Sequence, residues 1–205
     1  MGWWGARVVP FITEHACNTK EIGPYRERLC AGLEGGVLEI GFGNGHNVSR
    51  LPSAVKRLWA VEPSAKARRY AASRIAASSV PVEYAGLDGQ HLDLEDDRFD
   101  HAVSAFTMCT IPDVLAALRE VRRVLKPGGE LHFVEHGRSP HPKVAQFQQR
   151  WDPVQKRLFG GCHLSRPISE LVERAGFEIS RLENSQLKGP KSFGYIYEGV
   201  ASSPD

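Results

Sequence analysis

The feature that most constrains this chain is a repeating order of short apolar runs and helix-patterned stretches. Val37-Leu38-Glu39-Ile40 is a short apolar run that enters Gly41-Phe42-Gly43-Asn44-Gly45, after which residues 47–51 suit a helix. The pattern then recurs. Residues 58–61 read as strand, 64–77 as an alanine-rich helix capped by Ser64, 82–85 as strand and 100–105 as a fourth strand. Residues 112–125 carry apolar side chains at helical spacing with Pro112 in the first turn, and Lys126-Pro127-Gly128-Gly129 stops that helix before a strand over 130–135. Strands alternating with helices predict an α/β fold, a mostly parallel sheet with helices on both faces, because right-handed crossovers put them there. Two more strands, 178–182 and 193–198, follow a helix over 168–175 and are close enough to pair antiparallel, giving seven strands with an antiparallel last one.

The regions outside this rhythm are few. Residues 1–35 form an amino-terminal lid, with a helix over 20–33 ended by Glu34-Gly35-Gly36. Residues 138–164 form a substrate-side insertion, helical from about Val144 and rich in proline and glycine. With 205 residues the chain reads as a single domain, 1–205, able to bury roughly 70% of its unfolded surface without staples. A net charge of +2, with no block of like charges, gives no electrostatic case for nucleic acid as a partner. Cys17, Cys30, Cys109 and Cys162 are widely spaced and form no C-x-x-C pair, so neither a metal site nor a disulfide framework is expected, and a reducing, cytoplasmic setting is. The apolar start, broken by Arg7 and Pro10, is too short to span a bilayer, so no integral membrane segment is expected.

In an open parallel sheet the ligand lies beyond the carboxyl ends of the central strands. The glycines of the first loop permit close backbone approach, and Glu39 can meet a cationic group at its mouth. Glu62 follows the second strand directly, where a carboxylate can accept both hydroxyls of a ribose. A dinucleotide would use the same acid, but that motif needs a small sixth residue, and His46 stands there.

Five segments now resemble a known family. Leu38 to Gly45, Val61-Glu62-Pro63, Gly86-Leu87-Asp88-Gly89-Gln90-His91-Leu92, Phe99-Asp100-His101-Ala102-Val103 and Arg123 to Gly129 look like the ordered motifs of class I S-adenosylmethionine-dependent methyltransferases. The resemblance implies a Rossmann-like fold, S-adenosyl-L-methionine as cofactor and S-adenosyl-L-homocysteine as product. It implies that Glu39 faces the methionine amino group, that Gly41, Gly43 and Gly45 line the cofactor, and that Glu62, with Pro63 beside it, holds the ribose. Asp88 and Gly89 would face adenine, and Ala105 and Phe106 would border the methionine part. Val134-Glu135-His136, Trp151-Asp152-Pro153 and residues 158–166 are further similar to the methyltransferase-like thiol methyltransferases, although those carry a longer hydrophobic anchor at the start.

A methyltransferase of this kind must first align nucleophile, methyl and leaving sulfur, and orientation can supply roughly 7–11 kcal/mol. A base matters only for poor nucleophiles; a thiol is already a few per cent thiolate at neutral pH. His136, leaving the fifth strand, and His163 are the candidate catalytic side chains, each also open to a purely structural reading. Trp3, Trp4 and Phe11, Phe106 and Met108, and Phe147, Trp151 and Phe159 could wall an apolar chamber for a small-molecule acceptor, with Tyr25 closing over the cofactor. The alternatives are a nicotinamide-dependent oxidoreductase and a cofactor-binding domain without turnover.

Overall fold

The computed structural model describes Val8 and residues 19–204; Trp3, Trp4, Phe11 and Cys17 lie outside the described residues. Helix α1 (Gly23–Cys30) leads into β1 (Gly35–Ile40), followed by β2 (Val55–Val61), α2 (Ala65–Ala76), β3 (Val82–Gly86) and β4 (Phe99–Ala105). Then come α3 (Val114–Val124), β5 (Leu125–His136), α4 (Pro142–Leu158), α5 (Ile168–Arg174), β6 (Glu178–Gln186) and β7 (Tyr195–Ser202). The seven strands form one sheet in the order β3-β2-β1-β4-β5-β7-β6. The first five are mutually parallel, and β7 runs antiparallel to both β5 and β6.

Strand alternation divides the core. Leu38 and Ile40 of β1, Ala102 of β4 and Phe133 of β5 pack on the face that carries α3 and α5. Val37, Val103 and Val134 pack on the opposite face with Leu29 and Cys30 of α1 and Ala71 of α2. Glu39 shares the parity of Val37, so period two turns it toward α1. Helix α3 buries Val114, Ala117, Leu118, Val121 and Val124, the spacing of one helical face.

Several boundaries differ from the sequence reading. Residues 47–51 form only a 3-10 turn, Val48–Arg50, because Pro52 forces Leu51 out of the helical region, to φ −65° and ψ 128°. Pro112 lies outside α3, whose cap is Asp113, accepting from the Ala116 N–H at 3.0 Å. Lys126-Pro127-Gly128-Gly129 does not separate helix from strand: β5 starts at Leu125, paired with Phe99, and regains register with β4 at Glu130. The helix expected over 20–33 is shorter, and the amide of Ala31, already extended, closes it by donating to Glu27 and Arg28 carbonyls.

The loop after β3 is held from beneath by Arg123, which donates to the carbonyls of Leu92 (2.9 Å) and Leu94 (2.8 Å) and pairs with Glu120. Glu120 in turn accepts from the Leu92 N–H at 2.8 Å. The charged pair draws the Glu120 carboxyl down to about 2.

Helix α4 is turned inside out. Its buried side chains are Gln148, Asp152 and Gln155, while Phe147, Trp151, Val154 and Leu158 are exposed. The inward face is fixed by hydrogen bonds: Gln148 accepts from the Ser139 N–H (2.8 Å) and donates to Gly137 and Ser192 carbonyls, and Asp152 accepts from the Leu164 N–H (2.7 Å). Among the described residues no helix is long and apolar enough to cross a membrane.

Candidate active site

A cavity of about 460 Å³ opens at the carboxyl ends of β1, β2 and β4. Here β1 connects outward to β2 and β4 lies on its other side, so the crevice sits at the switch point of the sheet. Its floor is the loop after β1. Gly41 (φ +65°) and Gly43 (φ +58°) take the left-handed backbone that glycine alone adopts cheaply. Gly41 and Phe42 donate their N–H groups to the Val61 carbonyl, at 2.9 and 3.1 Å, which ties the loop to the end of β2.

Two carboxylates face this floor. Glu39 is buried; its Oε1 accepts from Asn47 Nδ2 at 2.8 Å, and its Oε2 has no hydrogen-bond partner. Burial pushes the Glu39 carboxyl up to about 7, against the opposing pull of Arg26 and Asn47. An orphaned, buried carboxylate oxygen in a cavity wall is a place for a cationic donor. Glu62 accepts from the Gly43 N–H and the Ser64 N–H, each at 2.7 Å, so it braces the glycine loop and the start of α2 together. Burial raises its carboxyl above the ordinary range in spite of those bonds. One lone pair on each oxygen remains for a diol.

The other side of the cavity is built from Phe106, Thr107, Thr110, Ile111, Pro112 and Gly160. Phe106 holds a positive φ of +56°, a strained conformation for an aromatic residue that marks the end of β4 as a constrained point. Thr107 is anchored by its N–H to Glu135 Oε1 (2.9 Å) and by its hydroxyl, 3.2 Å from each of the Gly41 and Ala105 carbonyls.

A model of the methyltransferase domain family matches residues 38–133. The human thiol S-methyltransferase TMT1A is 30% identical over 169 residues, 78% of this chain and 69% of that protein. The chain belongs to the class I S-adenosylmethionine-dependent methyltransferases. The rat thiol S-methyltransferase TMT1B is 32% identical over 152 residues, 72% of this chain but 62% of that protein, so the chain spans less than two thirds of this relative. An N-methyltransferase of Haemonchus contortus, solved with S-adenosylhomocysteine, shares the fold with a TM-score of 0.73 at 17% identity, covering 98% of this chain and 60% of that one.

The residues singled out in the sequence divide clearly. Glu39, Gly41, Gly43, Glu62 and Pro63 line the cavity, as do Asp88, Gly89, Ala105 and Phe106. Asp88 is exposed, and both hydrogen bonds from Gln90 to its Oδ1 keep its carboxyl below the usual range. Gly45 stands behind the wall, where a side chain would press on Phe42 and Ala71. Neither His136 nor His163 lines the cavity. His136 has Nε2 3.0 Å from Cys162 Sγ, and His163 faces Asp152 at 3.8 Å. Hydrogen bonds from Cys109 and His136 draw the Cys162 thiol well below its ordinary value.

The expected aromatic chamber is not what the insertion forms. Phe147 and Trp151 stack on each other on the exposed face of α4, Met108 is buried in the core, and from the insertion the wall receives Gly160. Tyr25 turns away to Ser185 (2.7 Å). Its neighbour Arg26 lines the cavity instead, donating to Asn47 Oδ1 at 2.7 Å and lying 5.6 Å from the Phe106 ring. Arg26 and Asn47 are among the site residues that sequence reading missed, as are Thr107, Thr110 and Gly160; no motif carries Arg26 and Asn47, since they join only when α1 crosses the loop after β1.

Proposed function

We propose that this chain transfers the methyl group of S-adenosylmethionine to a small apolar acceptor, a thiol. The observation that carries the cofactor is Glu39: a buried carboxylate with one unclaimed oxygen, beside a glycine floor, matches an amino-acid ammonium. Glu62 would accept the two ribose hydroxyls through its remaining lone pairs, and Asp88 with the Gly89 backbone would meet the adenine edge. Ala105 and Phe106 would flank the methionine chain. When bound, S-adenosylmethionine supplies a methyl on a positively charged sulfur, open to in-line displacement.

The thiol reading rests on the wall opposite the glycine floor. Thr107, Thr110, Ile111, Pro112 and Gly160 offer hydroxyls and apolar surface but no ionisable side chain. An amine or alcohol would need a base at that wall, whereas a thiol supplies its own anion. His136, one layer behind, serves in this reading as a positioning group. The relatives named thiol S-methyltransferases point the same way.

Calorimetric titration should show S-adenosylhomocysteine binding and no binding of NADH. A labelled-methyl assay should then give turnover on small alkyl or aryl thiols at least ~10-fold above the matching phenols and amines, the advantage expected of an acceptor that is already partly ionised. Equal turnover on amines would overturn the acceptor class while leaving the cofactor assignment standing.

A further inference from the structure

Cys109, His136 and Cys162 are scattered over the sequence, but the fold brings them together behind the acceptor wall. They come from the loop after β4, the end of β5 and the turn after α4. One ligand atom from each lies within 4.8 Å of the other two. Ligands around a tetrahedral zinc stand at about 2.3 Å (sulfur) and 2.0–2.1 Å (nitrogen) from the metal, hence about 3.5–3.8 Å from one another. Seating such an ion would open the 3.0 Å contact between His136 and Cys162 by roughly half an ångström.

The surroundings suit metal-bound thiolates. Both cysteines are buried. The backbone pins them to each other's segment, because the His163 N–H donates to the Cys109 carbonyl at 2.8 Å. Gln155 Nε2 lies 3.8 Å from Cys162 Sγ, a donor for a sulfur anion. The buried Arg166 guanidinium, held by the Met108 and Pro112 carbonyls, adds a positive charge nearby, and the buried carboxylates Glu135 and Asp152 offset it. Two thiolates and one neutral imidazole neutralise a divalent ion, and soft sulfur ligands select zinc over magnesium or calcium.

We propose that Cys109, His136 and Cys162 bind a zinc ion that ties the loop after β4 to the insertion, and so sets the acceptor wall formed by Phe106, Thr110 and Gly160. Binding releases two protons from the Cys109–His136–Cys162 group to solvent and forms two zinc–sulfur bonds and one zinc–nitrogen bond, with no change of oxidation state. A fourth position stays open to water. The inference stands whether or not the acceptor is a thiol.

The test begins with the intact chain, purified under reducing conditions, equilibrated with equimolar zinc and desalted. Mass-spectrometric metal analysis should find about one zinc per chain, the stoichiometry of a single three-ligand site. Cys109→Ser and Cys162→Ser should each lower the zinc content by about 10-fold or more, and Cys30→Ser, a buried cysteine elsewhere, should keep it. Cobalt in place of zinc should give a thiolate-to-cobalt charge-transfer band in the unaltered protein, which decides the matter even where a variant fails to fold. A second group, His101, Glu130 and His132, has no sulfur; metal held there would show neither the band nor any dependence on cysteine. No retained zinc in the intact chain, zinc undiminished in either serine variant, or cobalt without the band would each refute the proposal.

Discussion

Glu39→Gln should weaken S-adenosylhomocysteine binding by roughly 30- to 150-fold, about 2–3 kcal/mol, the range of a hydrogen bond to a charged group. The side chain keeps its shape and its acceptor for Asn47 Nδ2, so what is lost is the charge opposite the ligand's ammonium. The pH dependence follows from the carboxyl titrating near 7 in the unliganded protein, raised chiefly by burial. Below that pH the group is neutral and must lose its proton to meet an ammonium, so affinity rises with pH up to about 7 and then levels. In the glutamine variant this slope should vanish.

The same substitution should act oppositely on stability. A carboxyl whose folded pKa stands above its unfolded value holds its proton more tightly when folded, so the unliganded chain loses stability as pH rises from about 4.5 toward 7. At pH 8 the glutamine variant should therefore melt higher than the parent, because the raised value already includes the pull of Arg26. Thermal melts with and without S-adenosylhomocysteine read both effects. A variant that melts lower alone yet binds as tightly would show that Glu39 is a structural acid.

Why Glu39 was legible in the sequence and its setting was not is a matter of range. Strand period two, a glycine loop and an acid two residues before it are local patterns, and local patterns survive without tertiary knowledge. The same holds for Glu62, directly after β2, and for the succession of the five parallel strands along the chain, though not for their spatial order in the sheet. Arg26 and Asn47, which flank Glu39, depend on where α1 lands against the sheet. So does the convergence of Cys109, His136 and Cys162, which spacing along the chain had argued against.

Helix α4 misled for a different reason. Its aromatics suggested a chamber because apolar residues are expected inward, whereas the buried hydrogen bonds that Gln148 makes and Asp152 accepts fix the opposite face inward. Composition alone does not reveal which face of a helix finds partners.

Gly41→Ala should destabilise the chain by about 2–5 kcal/mol, combining the left-handed backbone cost for a residue with a Cβ, about 1–2, with the overpacking cost, about 1–3. At 2–4 °C per kcal/mol for a chain of this size, that is a fall in Tm of roughly 10 °C. The new methyl would sit 2.1 Å from Thr107 Cγ2, 2.2 Å from its Oγ1 and 2.7 Å from its Cβ. Thr107 has little room to yield, because Glu135 holds its amide and two carbonyls face its hydroxyl. Gly43→Ala meets nothing closer than 3.7 Å and carries the backbone cost alone, so it should be the milder change by at least half. Adding Thr107→Ala to Gly41→Ala removes Cγ2 and Oγ1 but leaves the Cβ in the way, and should recover only part of the loss. Adding Thr107→Gly removes all three of these close contacts, leaving the backbone cost, the lost Thr107 hydroxyl bonds and the flexibility of a new glycine. Equal Tm values for Gly41→Ala and Gly43→Ala would mean that the loop after β1 is not pressed against Thr107, and the coupling of glycine floor to acceptor wall would go with it.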